Sequence, residues 1–188
     1  IPNLRVIEPG FNEEMRQVLR VAVETPGPFY IRIVRCEVED DEIGPDYRFE
    51  LGRGITVIDD GADIGLVSTG CMIRTAKRAA EKLRKRGVKV RLDHHPSLKP
   101  FDKEMLYDMA GKVPAIVTLE NHCVSGGLFS LVAEALALQG KQLPVGAIGT
   151  DPEDFIHTGH VNDLLAHYRM TSDDVVKTVE QILKQAGA

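Results

Sequence analysis

The sequence predicts a three-layer αβα domain built on a mostly parallel mixed sheet, preceded by a βαβ remnant of another α/β domain. Two observations carry this. Apolar runs of strand length alternate with helical patterns along the 188 residues, the pattern of parallel strands joined by crossover helices. Each crossover is expected to be right-handed, as such connections overwhelmingly are. One break in composition, acidic and without apolar periodicity, runs from Glu37 to Asp46 around a Gly-Pro pair and reads as a linker. The chain thus divides into residues 1–36, a linker at 37–47, and a domain at 48–188.

Leu4-Arg5-Val6-Ile7 is a short strand ending in Glu8-Pro9-Gly10. Asn12 is placed to cap a helix over Glu13–Glu24, with Met15, Val18, Leu19 and Ala22 at helical spacing. Gly27-Pro28 ends it, and Phe29–Val34 reads as a second strand. Beyond the linker, Ile64–Thr69 is a strand and Cys71–Arg86 a helix with Ala76, Ala79, Ala80 and Leu83 inward. Val88–Leu92 and Ala115–Leu119 are strands separated by a helix over Lys103–Ala110. A helix over Gly127–Leu138, a strand over Val145–Ile148 and two further helices, the first over Asp163–Tyr168, complete the pattern.

Composition narrows the function classes. A net charge of −5 and a pI near 5.7 give no reason to expect binding to nucleic acid or an acidic membrane. Cys36, Cys71 and Cys123 are odd in number and widely spaced, which suggests neither a disulfide framework nor a zinc site. No apolar run approaches the roughly 18 residues that span a bilayer, and no signal-peptide pattern opens the chain. It reads as cytoplasmic and as a piece of something longer.

The stretch VTLENHCVSGGLFS, Val117 to Ser130, draws attention because acid, imidazole and thiol follow an expected parallel strand. A Cys-His dyad needs a depressed thiol pKa, but His122 and Cys123 are adjacent, and adjacent strand-end side chains point apart. Gly126 and Gly127 permit a tight strand-to-helix turn, with Glu120 and His122 available to satisfy its backbone groups. The stretch reads as a structural turn. Ser68-Thr69-Gly70 before a helix offers amides to an anion, yet such turns also merely reverse the chain. Asp93-His94-His95 are consecutive, so their side chains are poorly placed to converge on one ion. His157 and His160 flank Gly159 on an expected loop. No metal ligand set is assigned.

The residues carry a resemblance. The run DDGADIGLVSTGCMIRTAKRAAEKLRKRGVKVRL, the PSLKPFD stretch from Pro96 to Asp102, and AIVTLENHCVSGGLFS resemble the C-terminal domain of the transketolase family. That domain is shared by transketolases, deoxyxylulose-phosphate synthase and the beta subunits of 2-oxo acid dehydrogenases. PNLRVIEPG through GPFYIRIVR looks like the end of the preceding domain, which holds the aminopyrimidine half of thiamine diphosphate.

The resemblance implies a site residue. Arg35 ends a strand where ligands of parallel sheets gather, and a guanidinium clamps phosphate bidentately. In transketolases the second arginine of a YIRLSR-like strand end lies at the substrate phosphate, and YIRIVR puts Arg35 on that position. The alternative is an ion pair with the acidic linker. Arg32 faces the opposite side of the sheet and reads as structural. In the complete enzyme the resemblance implies thiamine diphosphate and Mg²⁺, but the motifs that hold them do not occur in this sequence. None is expected bound to this chain alone, and alone it is expected to be inactive.

The favoured expectation is therefore the C-terminal portion of a transketolase-like transferase. It would move a two-carbon ketol unit between phosphorylated sugars and need missing N-terminal domains or a partner subunit. A homo-oligomer is expected. Deoxyxylulose-phosphate synthase, a 2-oxo acid dehydrogenase beta subunit and a non-catalytic oligomerisation module are the alternatives.

Overall fold

The structure, a computed structural model, describes residues 1–34, 43, 44 and 46–187. In chain order the elements are β1 (Arg5–Ile7), α1 (Asn12–Glu24), β2 (Phe29–Ile31), β3 (Ile55–Asp59), β4 (Ile64–Ser68) and α2 (Met72–Arg84). They continue with β5 (Val90–His94), β6 (Ser97–Lys99), α3 (Lys103–Ala110), β7 (Ile116–Cys123), α4 (Leu128–Leu138), β8 (Val145–Thr150), α5 (Val161–His167) and α6 (Ser172–Ala186).

The main sheet has the order β3-β5-β4-β7-β8, with β3 antiparallel and the other pairs parallel. Strand alternation sends side chains to two separate cores. Ile64, Leu66, Val117 and Leu119 meet α2 and α6 residues such as Ala76, Leu83, Val175 and Val179 on one face. Val67 and Ile116 meet Leu106 and Met109 of α3 and Leu128 and Val132 of α4 on the other. This is the three-layer α/β arrangement. Gly65 leaves room for α3, since a Cβ there would lie 2.5 Å from Met109 Sδ.

A second sheet, β2-β1-β6, joins the two halves of the chain. β1 pairs in parallel with β2 and antiparallel with β6, which comes from beyond the linker. Its small core of Ile7, Val18 and Phe49 also takes in Tyr47 and Leu51. The first βαβ unit therefore shares both a sheet and a core with later residues. The sequence pattern predicts neither β3 nor β6; β6 has only three residues, and both pair antiparallel with strands distant in sequence.

Three boundaries are corrected. Asn12 is the first helical residue rather than the cap, and Phe11 holds the cap position without a side-chain bond. Phe11 is buried in the main core, so packing fixes the helix entry, and the Gly10 amide donates to the Glu14 carboxylate at 2.6 Å. β2 stops at Ile31 rather than Val34. β7 does not end at Leu119 but runs to Cys123, because β8 continues beside it and pairs Thr150 with Cys123 after a register shift. Gly149 allows that approach: a Cβ there would sit 2.8 Å from the His122 carbonyl oxygen and 2.7 Å from Val124.

Candidate functional site

The carboxyl ends of β1, β4, β5 and β7 meet along a buried polar seam between the βαβ unit and the main sheet. Glu8 follows β1 and is almost fully buried. Its carboxylate ion-pairs with Arg32, and the other arm of that guanidinium donates to the Asn121 carbonyl at 2.6 Å. One arginine thus ties the segment after β2 to both β1 and β7. Burial raises the Glu8 pKa, opposed by Arg32. Its backbone closes the seam further, with Glu8 N donating to Pro96 O at 2.8 Å and Gly70 N donating to Glu8 O at 3.1 Å. Gly70 has φ +54, and a Cβ there would meet the Glu8 carboxylate at 2.5 Å. Glycine is required both by conformation and by space.

A second buried acid lies in the first turn of α1. Glu14 accepts from Gly10 N at 2.6 Å and from the Tyr47 hydroxyl at 2.6 Å. His94 Nε2 lies 3.1 Å away, and the His94 Nδ1 is 3.5 Å from Ser68 Oγ, at the outer limit of a hydrogen bond. The order serine, histidine, glutamate has the look of a nucleophilic triad. All three side chains are fully enclosed, however, so no substrate reaches Ser68. The network clamps α1 to β4 and β5. Sequence reading misses Glu14, although a signal is present: it shares a helix face with Val18, so an acid stands on the apolar stripe.

Glu120 is buried on β7, and its two carboxylate oxygens accept the first free amides of α4, Leu128 N at 2.7 Å and Phe129 N at 2.9 Å. This caps the helix from a neighbouring strand. Burial pushes the Glu120 pKa up to about 7, against the two amides and His122, with Glu8 adding to the rise. Gly127 is buried behind the carboxylate, where a Cβ would lie 1.8 Å from Glu120 Oε2. Gly126 has φ +79, and its amide donates to Ser130 Oγ at 2.8 Å. His122 is exposed, and its Nδ1 faces the Cys123 carbonyl at 2.8 Å. Cys123 is half-buried.

The other candidates are dispersed. Thr69 N and Gly70 N are taken by the carbonyls of Leu119 and Glu8, which removes them from any anion. Asp93 pairs with Arg91 and accepts from Thr56, while His95 stacks on Phe101 at 4.7 Å. Burial holds the His95 pKa down to about 3, and neither ring nitrogen has a hydrogen-bond partner among the described residues. The trio Asp93, His94 and His95 therefore points three ways. His157 packs edge-on against His167, and their shallow cleft mixes Asp151 and Asp154 with Arg169; His160 holds the cap position of α5. Among the described residues no group of three or more His, Cys, Asp or Glu side chains is placed to hold a metal ion. No helix among them is long and apolar enough to cross a membrane. Arg35 and Cys36 lie outside the described residues.

Known proteins share this architecture. Residues 54–175 match the family model described as transketolase, C-terminal domain. The chain is 30% identical over 184 residues to an apulose-4-phosphate transketolase subunit of Phocaeicola vulgatus, covering 98% of this chain and 58% of that protein. It is 33% identical over 190 residues to the 1-deoxy-D-xylulose-5-phosphate synthase of Methylacidiphilum infernorum, covering 98% of this chain and 29% of that protein. Among solved structures, a split-gene transketolase described as an inactive beta4 tetramer superposes with a TM-score of 0.90 at 37% identity, over 98% of this chain and 59% of the other. The chain thus spans somewhat over half of the transketolase subunits it matches and under a third of the synthase.

Proposed function

Because the chain belongs to the transketolase C-terminal domain family, we propose that it is the C-terminal portion of a thiamine diphosphate-dependent, transketolase-like transferase. In this reading it moves a two-carbon ketol unit between phosphorylated sugars. The observation that carries the reading is that 98% of the chain, the βαβ unit included, aligns with one subunit of an apulose-4-phosphate transketolase.

Among the described residues no group of three or more His, Cys, Asp or Glu side chains is placed to hold Mg²⁺. In the complete enzyme that site belongs to other residues. When bound there, the cofactor supplies the carbanion chemistry that breaks and forms the carbon–carbon bond. This chain's part is positioning. Arg32, held by Glu8 and by the Asn121 carbonyl, anchors the segment that leads, three residues later, to Arg35. We assign Arg35 to the phosphate of the sugar, through a two-pronged contact that a lysine would not reproduce. The remaining domains or a separate subunit complete the active site, and the chain associates with further copies of itself, as the split-gene relative does.

The test is transfer by the complete protein, supplied with its partner subunit, thiamine diphosphate and Mg²⁺. Transfer from a ketose phosphate to an aldose phosphate without gas release supports the reading. The identity to deoxyxylulose-phosphate synthase favours a second reading, in which a 2-oxo acid is the donor. Carbon dioxide release from pyruvate, coupled to an aldose phosphate acceptor and without ketol transfer, would replace the first reading by the second.

A further inference from the structure

The described strands leave four sheet edges, and they are not alike. β2 and β6 have three residues each, and β6 ends in Lys99 before Pro100. β3 carries Asp59 and a register shift between Thr56 and Ile58. Shortness, charge, proline and irregularity are the usual means of keeping an edge unpaired. β8 shows them least, with Pro144 only preceding it and one register shift only past Ile148. Its six residues, Val145-Gly146-Ala147-Ile148-Gly149-Thr150, carry no charge and no proline, and Val145 to Ile148 hold an unbroken register against β7.

The direction of its backbone groups follows from its bonds. The carbonyls of Pro144 and Thr150 accept from Ile116 and Val124, and that of Gly146 from Thr118 Oγ1. Even-numbered residues therefore face β7. By the alternation of a parallel ladder, Val145, Ala147 and Gly149 turn their N–H and C=O groups outward. All three are half-exposed. An open groove floored by Ala147, Ile148 and Gly149, with Lys177 and Gln181 of α6 on its wall, runs alongside.

We propose that β8 is the surface through which two copies of this chain associate, by antiparallel pairing of one β8 with another. This rests on the self-association proposed above and names its surface. A two-fold axis perpendicular to a sheet keeps each side chain on its own face, so self-pairing must be centred on a residue rather than between two. The outward groups sit at 145, 147 and 149, which makes Ala147 the centre. Ala147 then faces the second copy's Ala147, and Val145 faces its Gly149. The contact is isologous, so it closes at two copies and leaves neither β8 edge free. The two main sheets become one continuous sheet.

Two variants of the full-length protein test this, purified without any other subunit. In Ala147→Cys, the paired Cα atoms would lie about 5.5 Å apart, within the range a disulfide spans. Mild oxidation should then yield a 147–147 linked peptide by mass spectrometry. In Ala147→Pro the lost N–H is one that faces away from β7, so the fold's own ladder survives, and the mass by sedimentation should fall by half. A wild-type protein that sediments as a monomer removes the self-association reading, and this inference with it. A wild-type oligomer that gives no 147–147 link overturns the β8 assignment alone, even where the proline variant fails to fold.

Discussion

Glu120→Gln isolates the acid that caps α4, because the replacement keeps the shape of the side chain and removes its titration. In the folded protein the carboxyl group has its pKa pushed up to about 7 by burial, from an ordinary value of 4.5. A raised carboxyl pKa means the folded state holds the proton more tightly than the unfolded state. The associated stability is greatest below pH 4.5 and is lost as pH rises through about 7. Applying the linkage relation to those two values, the loss between pH 5 and pH 8 is about 2–3 kcal/mol. The substitution also turns an amide nitrogen toward one of the two helix amides, a cost that does not depend on pH. Chemical denaturation of wild type and variant at both pH values measures the difference. The variant should be less stable than wild type at pH 5 by about 2–3 kcal/mol more than at pH 8. Glu8, Arg32 and His122 remain in both proteins and largely cancel from the comparison. An equal cost at the two pH values, or a larger one at pH 8, would show that burial does not govern this group.

Gly127→Ala should cost about 2–4 kcal/mol in the same assay, because the new Cβ occupies the place of Glu120 Oε2 and the two helix amides lose their acceptor. Its φ of −99 suits alanine, so a neutral result would mean that the carboxylate moves freely. In the complete enzyme, Arg35→Ala should raise KM for phosphorylated sugars by about 30- to 150-fold, a loss of about 2–3 kcal/mol. Unphosphorylated sugars should be little affected, and equal losses for both would remove the phosphate role. Cys123→Ser should leave turnover within a few-fold of wild type, and a ~100-fold loss in a folded protein would revive the dyad. Calorimetric titration of the 188-residue chain with thiamine diphosphate and Mg²⁺ should show no tight binding. A sub-micromolar Kd, more than about 8 kcal/mol of binding, would place the cofactor site within it.

Periodicity makes most of the fold legible. The α3 helix over Lys103–Ala110 agrees to the residue, and the core positions Ala76, Ala79, Ala80 and Leu83 are those of the apolar stripe in α2. What escapes is what depends on residues far apart in the chain. Pattern alone ends β7 at Leu119, because Glu120 to Cys123 are polar or small; the strand continues because β8 lies beside them, with a glycine at 149. The sequence gives His94, between Asp93 and His95, no partner, whereas the structure places it against Glu14, 80 residues earlier. Asn12 fits the composition of a helix cap, but the burial of Phe11 overrides local preference. Arg32 can be read as structural from strand alternation, while its partners Glu8 and Asn121 cannot be read at all.

The pairing of β1 with β6 sets an order of events on the ribosome. β1 and β2 emerge before β6, and Ser97, which pairs with Ile7, follows 97 − 7 = 90 residues later. At about 5–20 residues per second, the first strand waits roughly 5–20 s for its neighbour. During that time Ile7 and Val18 have no completed core, since Phe49 arrives midway and β6 last. A nascent chain halted before residue 97 should be cut by protease within residues 1–34, and one halted well beyond it should not. Synthesis rate and early aggregation of this protein are therefore linked through a single three-residue strand.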